Sequence, residues 1–156
     1  QLENPMTLTL LNIGFPNAKW IHLVRDGRAV SASWMENWEL ATGEKTEPNL
    51  ETAVESWTRS VQNVEDGPSH HRIKLEDLTS LKTRPIVFRD LMHYLDIEIS
   101  PRQQAFLDAW PPINTVRTSK NLSKRTFSAE QRSVFSQSSD LENALEIFKY
   151  NNFVDS

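Results

Sequence analysis

Apolar positions change their spacing along the chain, and these spacings predict its helices and strands. Residues 4–14 carry apolar side chains at helical spacing after Pro5, which predicts a short helix with a partly buried face. Its apolar positions are Met6, Leu8, Leu10, Leu11 and Ile13. The apolar run from Trp20 to Arg25 predicts a buried strand, and the small residues and helix formers after it predict a helix from Gly27 to about Trp38.

The second half of the chain is mainly helical in its pattern. A helix capped by Asn49 and stopped by Gly67-Pro68 is predicted from apolar residues at three- and four-residue steps, namely Leu50, Val54, Trp57, Val61 and Val64. A second strand is predicted over 72–76, with Glu76 and Asp77 capping the turn that follows. Three helices should close the chain, beginning near Pro85, at a capping box on Ser100, and at another on Ser128. Two strands among many helices indicate an α/β fold with a parallel sheet wrapped by helices.

Composition narrows the class of protein. The 156 residues suffice for one domain with a core, and 38% hydrophobic with 24% charged residues is typical of a soluble globular protein. The longest apolar runs are too short to span a membrane. The absence of cysteine excludes disulfides, thiolate zinc sites and cysteine nucleophiles, and leaves the compartment open.

The distribution of charge is more informative than the net charge of −4. Between Glu36 and Asp66 the sequence has eight acidic residues and only two basic ones, Lys45 and Arg59. Residues 117–125, in contrast, include four basic residues and no acidic one. A basic loop in an acidic protein favours a small anionic ligand over a nucleic-acid surface, although a solvated loop has the same composition.

The junction of the first strand and the next helix carries the strongest chemical signal. Arg25 stands where the strand ends, at the sheet edge where ligands bind in α/β proteins. Ser33 lies about two turns into the helix, and with the helix N-terminus these groups suit a phosphate. The alternative is an ordinary strand-turn-helix with a salt-bridged surface arginine. Arg28, in the first helical turn, is expected to form a salt bridge.

This stretch resembles the 3′-phosphate-binding motif of the sulfotransferases that use 3′-phosphoadenosine 5′-phosphosulfate (PAPS). That motif is an apolar strand, Val-Arg-Asp-Gly/Pro-Arg, and a Ser eight residues after the first Arg, which Arg25 and Ser33 match. The segment 15–19, Phe-Pro-Asn-Ala-Lys, is similar to the family's lead-in. The resemblance implies that Arg25 and Ser33 bind the nucleotide. It also implies a P-loop NTPase-like, three-layer parallel sheet wrapped by helices.

Two further segments carry the resemblance. Leu122-Ser123-Lys124 is similar to the C-terminal nucleotide-binding loop of protein-tyrosine sulfotransferases, which implies that Ser123 and Lys124 contact the cofactor; an unspecialised polar loop is the alternative. The segment 74–78 resembles the family's Tyr-Glu-Asp-Leu strand end but has Leu75 where a Tyr usually helps hold the nucleotide. Asp96 replaces the family's Gly after the following helix.

The family's phosphosulfate loop has no counterpart in this sequence, because the four glycines are isolated and no Gly-Thr or Gly-Lys-Ser/Thr run occurs. Residues 1–156 are therefore interpreted as a single partial sulfotransferase domain that lacks the N-terminal strand and this loop and is inactive alone. The general base would lie upstream, and no catalytic residue is assigned. His70-His71 are expected in a loop without a metal-ligand pattern, and the implied chemistry needs no metal.

The implied function is transfer of a sulfuryl group from PAPS to an acceptor hydroxyl or amine. The acceptor could be a protein tyrosine, a sugar or a small alcohol, and no nucleic-acid partner is expected. The location would be cytoplasmic if no targeting or anchor segment precedes the chain. Two alternatives stay open: a non-catalytic nucleotide-binding or interaction module of the same fold, and a P-loop small-molecule kinase.

Overall fold

The computed structural model describes residues 5–42, 49–109 and 127–150. Within them the order of elements is α1 (Pro5–Gly14), β1 (Trp20–Val24), α2 (Gly27–Thr42), α3 (Leu50–Glu65), β2 (His70–Lys74), α4 (Leu75–Thr79), α5 (Arg84–Leu95), α6 (Pro101–Ala109), α7 (Ala129–Gln137) and α8 (Ser139–Ile147). The chain forms two compact units, one containing α1, α2, α3, α7 and α8, and the other containing both strands with α4, α5 and α6.

The helical unit is organised around an apolar core shared by α2, α3, α7 and α8. Its buried members are Ala32, Leu50, Val54, Phe127, Phe135, Leu141 and Leu145. The Phe127 and Phe135 rings meet edge to face with centroids 5.1 Å apart, a favoured aromatic geometry. The predicted apolar stripe of α3 is confirmed, since Leu50, Val54 and Val61 are buried.

The second unit is built on a parallel pair of strands. β1 and β2 pair in register from Trp20 opposite His70 to Val24 opposite Lys74. Helix α5 packs on β2, where the Tyr94 ring stacks on His71 with centroids 4.9 Å apart. The Tyr94 hydroxyl also accepts a hydrogen bond of 3.1 Å from the Trp20 backbone N–H, so one side chain joins α5 to both strands.

Local capping fixes several helix starts where the sequence predicts them. The Asn49 side chain accepts from the Thr52 N–H at 2.8 Å and begins α3. Ser128 and Gln131 form a reciprocal capping box at α7, and Ser100 forms the same arrangement with Gln103 at α6. These bonds satisfy N–H groups that a helix start leaves without an intrahelical acceptor.

Several predicted boundaries are wrong. The second strand covers His70–Lys74 and not 72–76, because Leu75 and Glu76 already belong to α4, so His70-His71 lie in a strand and not in a loop. Helix α2 continues to Thr42. The closing helix is divided at Ser138, which ends α7 and caps α8 through its hydroxyl.

The predicted burial of α1 is also wrong. Of the five apolar positions predicted on this helix, Leu8 is buried, whereas Met6, Leu10, Leu11 and Ile13 are exposed. The parallel pairing of the two strands confirms the α/β class, and the three-layer sheet remains a prediction. None of the helices in the part of the chain that the structure describes is long and apolar enough to cross a membrane.

Candidate functional site

Arg25 follows directly on the last residue of β1, at the carboxyl end of the strand, as predicted. The side chain is half-buried, and its Nε is buried without a hydrogen-bond acceptor among the described residues. A buried N–H without a partner costs about 1–3 kcal/mol, and more when the group is charged. An acceptor for this N–H would therefore have to come from outside the described residues.

Asp26 caps the helix that follows. Its Oδ1 accepts from the Arg28 backbone N–H at 2.9 Å, and the first helical bond runs from the Val30 N–H to the Asp26 carbonyl at 3.0 Å. The same carboxylate accepts two bonds from the Arg28 guanidinium, at 3.0 Å from Nε and 2.6 Å from the terminal nitrogen. The predicted salt bridge of Arg28 is thus confirmed, and this arginine is engaged within the turn.

Gly27 sets the start of α2 against α3. A Cβ on Gly27 would lie 2.4–2.6 Å from three ring atoms of Trp57, far inside van der Waals contact. The backbone of the first helical turn therefore rests on the indole face, which any side chain at position 27 would displace. This contact fixes how the start of α2 lies against α3 within the helical unit.

Ser33 lies on α2, six residues after its first residue, which corresponds to about 9 Å along the helix axis. It is half-buried, next in the helix to the fully buried Ala32. Positions 26, 30 and 33 share one helical face, so Ser33 stands above the cap residue on the side of the helix that leads back to the turn. The helix N-terminus adds a positive potential at the same end.

The structure leaves the two other predicted ligands, Ser123 and Lys124, untested, because both lie outside the described residues. The motif around Leu75, which also carries the resemblance, is described. Leu75, at the position where the family has Tyr, is the first residue of α4, and the acidic pair Glu76 and Asp77 occupies the first turn of that helix. Carboxylates in a first helical turn interact favourably with the positive end of the helix. The pair therefore lies within α4 and does not cap a turn after the strand, contrary to the prediction.

Two residues that the sequence pattern did not single out hold the strand unit together. Tyr94 joins α5 to both strands, as described above. Arg84 is only 3% exposed, and its Nε donates to the Leu78 carbonyl at 3.2 Å at the end of α4. Its terminal nitrogen lies 3.5 Å from the Thr79 carbonyl. A cation on helix-terminal carbonyls is favourable, and it ties α4 to α5.

A cavity of about 170 Å³ lies beside α5 and α6 in the strand unit. Its wall is mainly apolar, with the polar members bonded to protein groups: Gln104 donates to Asp108 at 2.8 Å, and Arg84 to the carbonyls of α4. The lining residues are Leu81, Arg84, Pro85, Phe88, Ile99, Gln104, Leu107 and Asp108. The arginine in this lining donates to backbone carbonyls at the end of α4, so its cation is engaged with the protein.

One carboxyl group has a shifted pKa. The ammonium of Lys19 forms a hydrogen-bonded ion pair with Asp96 and lowers the pKa of that carboxyl below its ordinary value of 3.8. Asp96 ends α5 in the left-handed region, at φ 57°. This conformation favours glycine, which is the residue expected there from the resemblance, and Asp is among the residues that tolerate it best.

Comparison with known proteins supports the fold described above. No family model and no curated protein matches the sequence. Among solved structures, the chain is similar to a sulfotransferase domain from the curacin biosynthetic pathway, with a TM-score of 0.62 and 20% sequence identity. The match covers 96% of this chain and 60% of that one, so the chain spans less than two thirds of its structural neighbour. The chain therefore has a sulfotransferase-like fold.

Proposed function

We propose that this protein is a PAPS-dependent sulfotransferase and that Arg25 and Ser33 hold the 3′-phosphate end of the nucleotide. The observation that carries the proposal is the buried Arg25 Nε, which has no acceptor among the described residues and stands at the strand end of a sulfotransferase-like fold. A phosphate oxygen would supply the missing acceptor.

The groups around Arg25 suit a phosphate more than a carboxylate or a neutral ligand. A guanidinium presents several N–H donors in a plane that matches a phosphate, and the N-terminus of α2 adds positive potential. Ser33 offers a hydroxyl from the same helix. Because the Arg28 guanidinium already bonds to Asp26, Arg25 is the cation assigned to the ligand and Arg28 is assigned to holding the turn.

A calorimetric titration with adenosine 3′,5′-bisphosphate tests the assignment. Loss of a charge-assisted contact costs about 1.5–3 kcal/mol, so Arg25→Ala should weaken binding by roughly 10- to 150-fold, and Ser33→Ala by less. Arg59→Ala is the matched control, since Arg59 is an exposed arginine on α3. Adenosine 5′-monophosphate lacks the 3′-phosphate, so its affinity should not depend on Arg25. Equal bisphosphate affinity of the wild type and Arg25→Ala would refute the assignment.

The basic segment 117–125 is proposed to bind the same nucleotide through Ser123 and Lys124. This part of the proposal rests on the four bases without an acid and on the Leu-Ser-Lys resemblance. Amide hydrogen exchange across residues 117–125 should slow when adenosine 3′,5′-bisphosphate saturates the protein. Unchanged exchange there, with slower exchange at the start of α2, would restrict the site to Arg25 and Ser33.

The reaction would be an in-line transfer in which PAPS supplies the sulfuryl group. The acceptor oxygen or nitrogen forms a bond to sulfur, the bond from sulfur to the bridging oxygen breaks, and the acceptor proton passes to a base. Neither that base nor a phosphosulfate loop is assigned to this chain, and charge on the transferring oxygens needs such a loop. We therefore expect no transfer from labelled PAPS to phenols, peptides or sugars by the 156 residues alone. Measurable turnover would contradict this expectation.

The lack of a recognisable phosphosulfate loop supports a second candidate, a nucleotide-binding module without catalysis. Under that alternative the bisphosphate binds as above, but the full-length polypeptide also fails to transfer sulfate. A P-loop kinase would instead prefer ATP, which has no 3′-phosphate, and its affinity for ATP would not fall with Arg25→Ala. Competition between ATP and adenosine 3′,5′-bisphosphate separates these cases.

A further inference from the structure

Strand pairing brings two histidines of the strand unit together on one face of the sheet. Residues paired across parallel strands point to the same face, so Trp20 and His70 share a face, and His22 follows on it two positions along β1. The imidazole rings of His22 and His70 meet edge to face, with centroids 5.5 Å apart and 74° between the ring planes. A ring nitrogen of one lies within 4.8 Å of a ring nitrogen of the other.

These dimensions suit two ligands of one metal ion. Zn–N bonds of about 2.0–2.1 Å in a tetrahedral shell place two coordinated nitrogens about 3.4 Å apart and the two imidazole centres about 5 Å apart. The observed separations are close to these values, so a rotation of one ring completes the geometry. His22 is only 9% exposed and is held by its packing, whereas the half-buried His70 has more room to rotate.

Spacing along the chain gives no sign of this pair. Sequence patterns for zinc sites join ligands a few residues apart, whereas two helices separate β1 from β2. The His70-His71 dipeptide does not itself form a site, because neighbouring residues of a strand point to opposite faces. His71 stacks instead on the Tyr94 ring. Only the pairing of the two strands reveals His22 as the partner of His70.

Cationic side chains on the same face raise the alternative of an anion site. Arg72 lies opposite His22 and is exposed, and Lys74 forms an ion pair of 3.7 Å with Asp77. An anion is held most strongly by protonated imidazoles, and two imidazolium rings this close repel each other. A metal ion is bound by neutral imidazoles and avoids this repulsion. The close ring contact therefore favours a metal ion.

We propose that His22 and His70 form a binding site for a divalent transition metal of the kind that prefers imidazole, such as Zn²⁺. Solvent fills the remaining positions of the coordination shell. A metal ion with one histidine from each strand links β1 to β2 near the start of their pairing, and it stabilises a two-stranded sheet, which is marginal by itself. The inference does not rest on the proposed sulfuryl transfer, in which this metal ion has no part.

Titration of the 156-residue protein with zinc chloride, without a histidine tag and followed by the imidazole signals in NMR spectra, tests the site. The signals of His22 and His70 should shift together, whereas those of His71 and His93 should stay in place. Mg²⁺ and Ca²⁺ prefer oxygen ligands and should leave all of these signals unchanged. Zinc shifts of equal size at every histidine, or no shift at any of them, would overturn the proposal.

Zinc should also stabilise the folded protein. At about 100 times the dissociation constant, the melting temperature should rise by about 5 °C or more. His70→Gln should weaken zinc binding by roughly tenfold or more, because one of two protein ligands is lost. The matched control is His93→Gln, since His93 is exposed on α5 of the same unit. Equal zinc affinity in the wild type and His70→Gln would refute the site.

Arg72→Ala separates the metal ion from the competing anion, for which inorganic phosphate is the probe in a separate titration. Zinc affinity should stay the same or rise in this variant, because a neighbouring cation is removed. Phosphate binding that shifts His22 and His70, is lost in Arg72→Ala and occurs without zinc binding would replace the metal site with an anion site. Failure to bind zinc, with intact binding of adenosine 3′,5′-bisphosphate, would overturn this inference and leave the proposed function standing.

Discussion

Gly27→Ala is the substitution that tests most directly how the start of α2 is held. The Cβ of an alanine at this position would lie 2.4 Å from Cε3, and 2.6 Å from both Cδ2 and Cζ3, of Trp57. Favourable carbon contacts begin at about 3.5 Å, so each of these contacts is too short by about 0.9 Å or more. The methyl group meets the fused part of a rigid ring and not the end of a flexible side chain. Either the indole or the helix start has to move.

Overpacking of this kind typically costs about 1–3 kcal/mol of unfolding free energy. For a chain of this size each kcal/mol lowers the melting temperature by about 2–4 °C, which a thermal or denaturant unfolding curve resolves easily. Because the same turn follows Arg25, a displaced helix start should also weaken the binding of adenosine 3′,5′-bisphosphate. The two effects should appear together in Gly27→Ala.

The cause can be isolated with a double-mutant cycle. Trp57→Ala removes the obstructing ring, so adding Gly27→Ala to it should be neutral or stabilising, by up to about 1 kcal/mol, as expected for Ala replacing Gly in a helix. Gly14→Ala is the control, because a Cβ on Gly14 meets nothing within 4 Å. An equal cost of Gly27→Ala with and without Trp57, or no cost at all, would refute the steric explanation.

Three further predictions concern other contacts. NMR titration should give Asp96 a pKa below 3.8, and Lys19→Ala should raise that pKa. Because the pKa of Asp96 is lowered in the folded state, the ion pair stabilises the protein above pH 3.8. This stabilisation is lost as the pH falls through the pKa of the folded state. Arg84→Ala should lower the unfolding free energy, measured with denaturant, by about 1.5–3 kcal/mol, because the carbonyls at the end of α4 lose their donor. Arg89 is exposed, so Arg89→Ala should change the unfolding free energy by no more than about 0.5 kcal/mol. Ser128→Ala removes one half of a capping box and should cost about 1 kcal/mol; no change would mean that α7 is held by packing alone.

The features that the sequence alone determined are those that depend on near neighbours. Asn49 and Ser128 begin their helices through bonds that span only three residues, so the residue types at that spacing are sufficient. The strand, turn and helix around Arg25 follow from an apolar run and the Asp26 cap, both local. The same locality explains why a salt bridge could be predicted for Arg28, since the partner in the structure, Asp26, is only two residues away.

Other features depend on contacts between residues far apart in the chain, and only the tertiary structure decided them. The helix pattern of α1 predicts an apolar face but not whether anything covers it, and only Leu8 proves buried. β2 ends two residues earlier than its apolar pattern suggests, because its extent is set by pairing with β1. Tyr94 acquires its role through a hydrogen bond to Trp20, 74 positions away. Periodicity along a chain specifies which side of an element is apolar, whereas burial and partners depend on which elements meet in three dimensions.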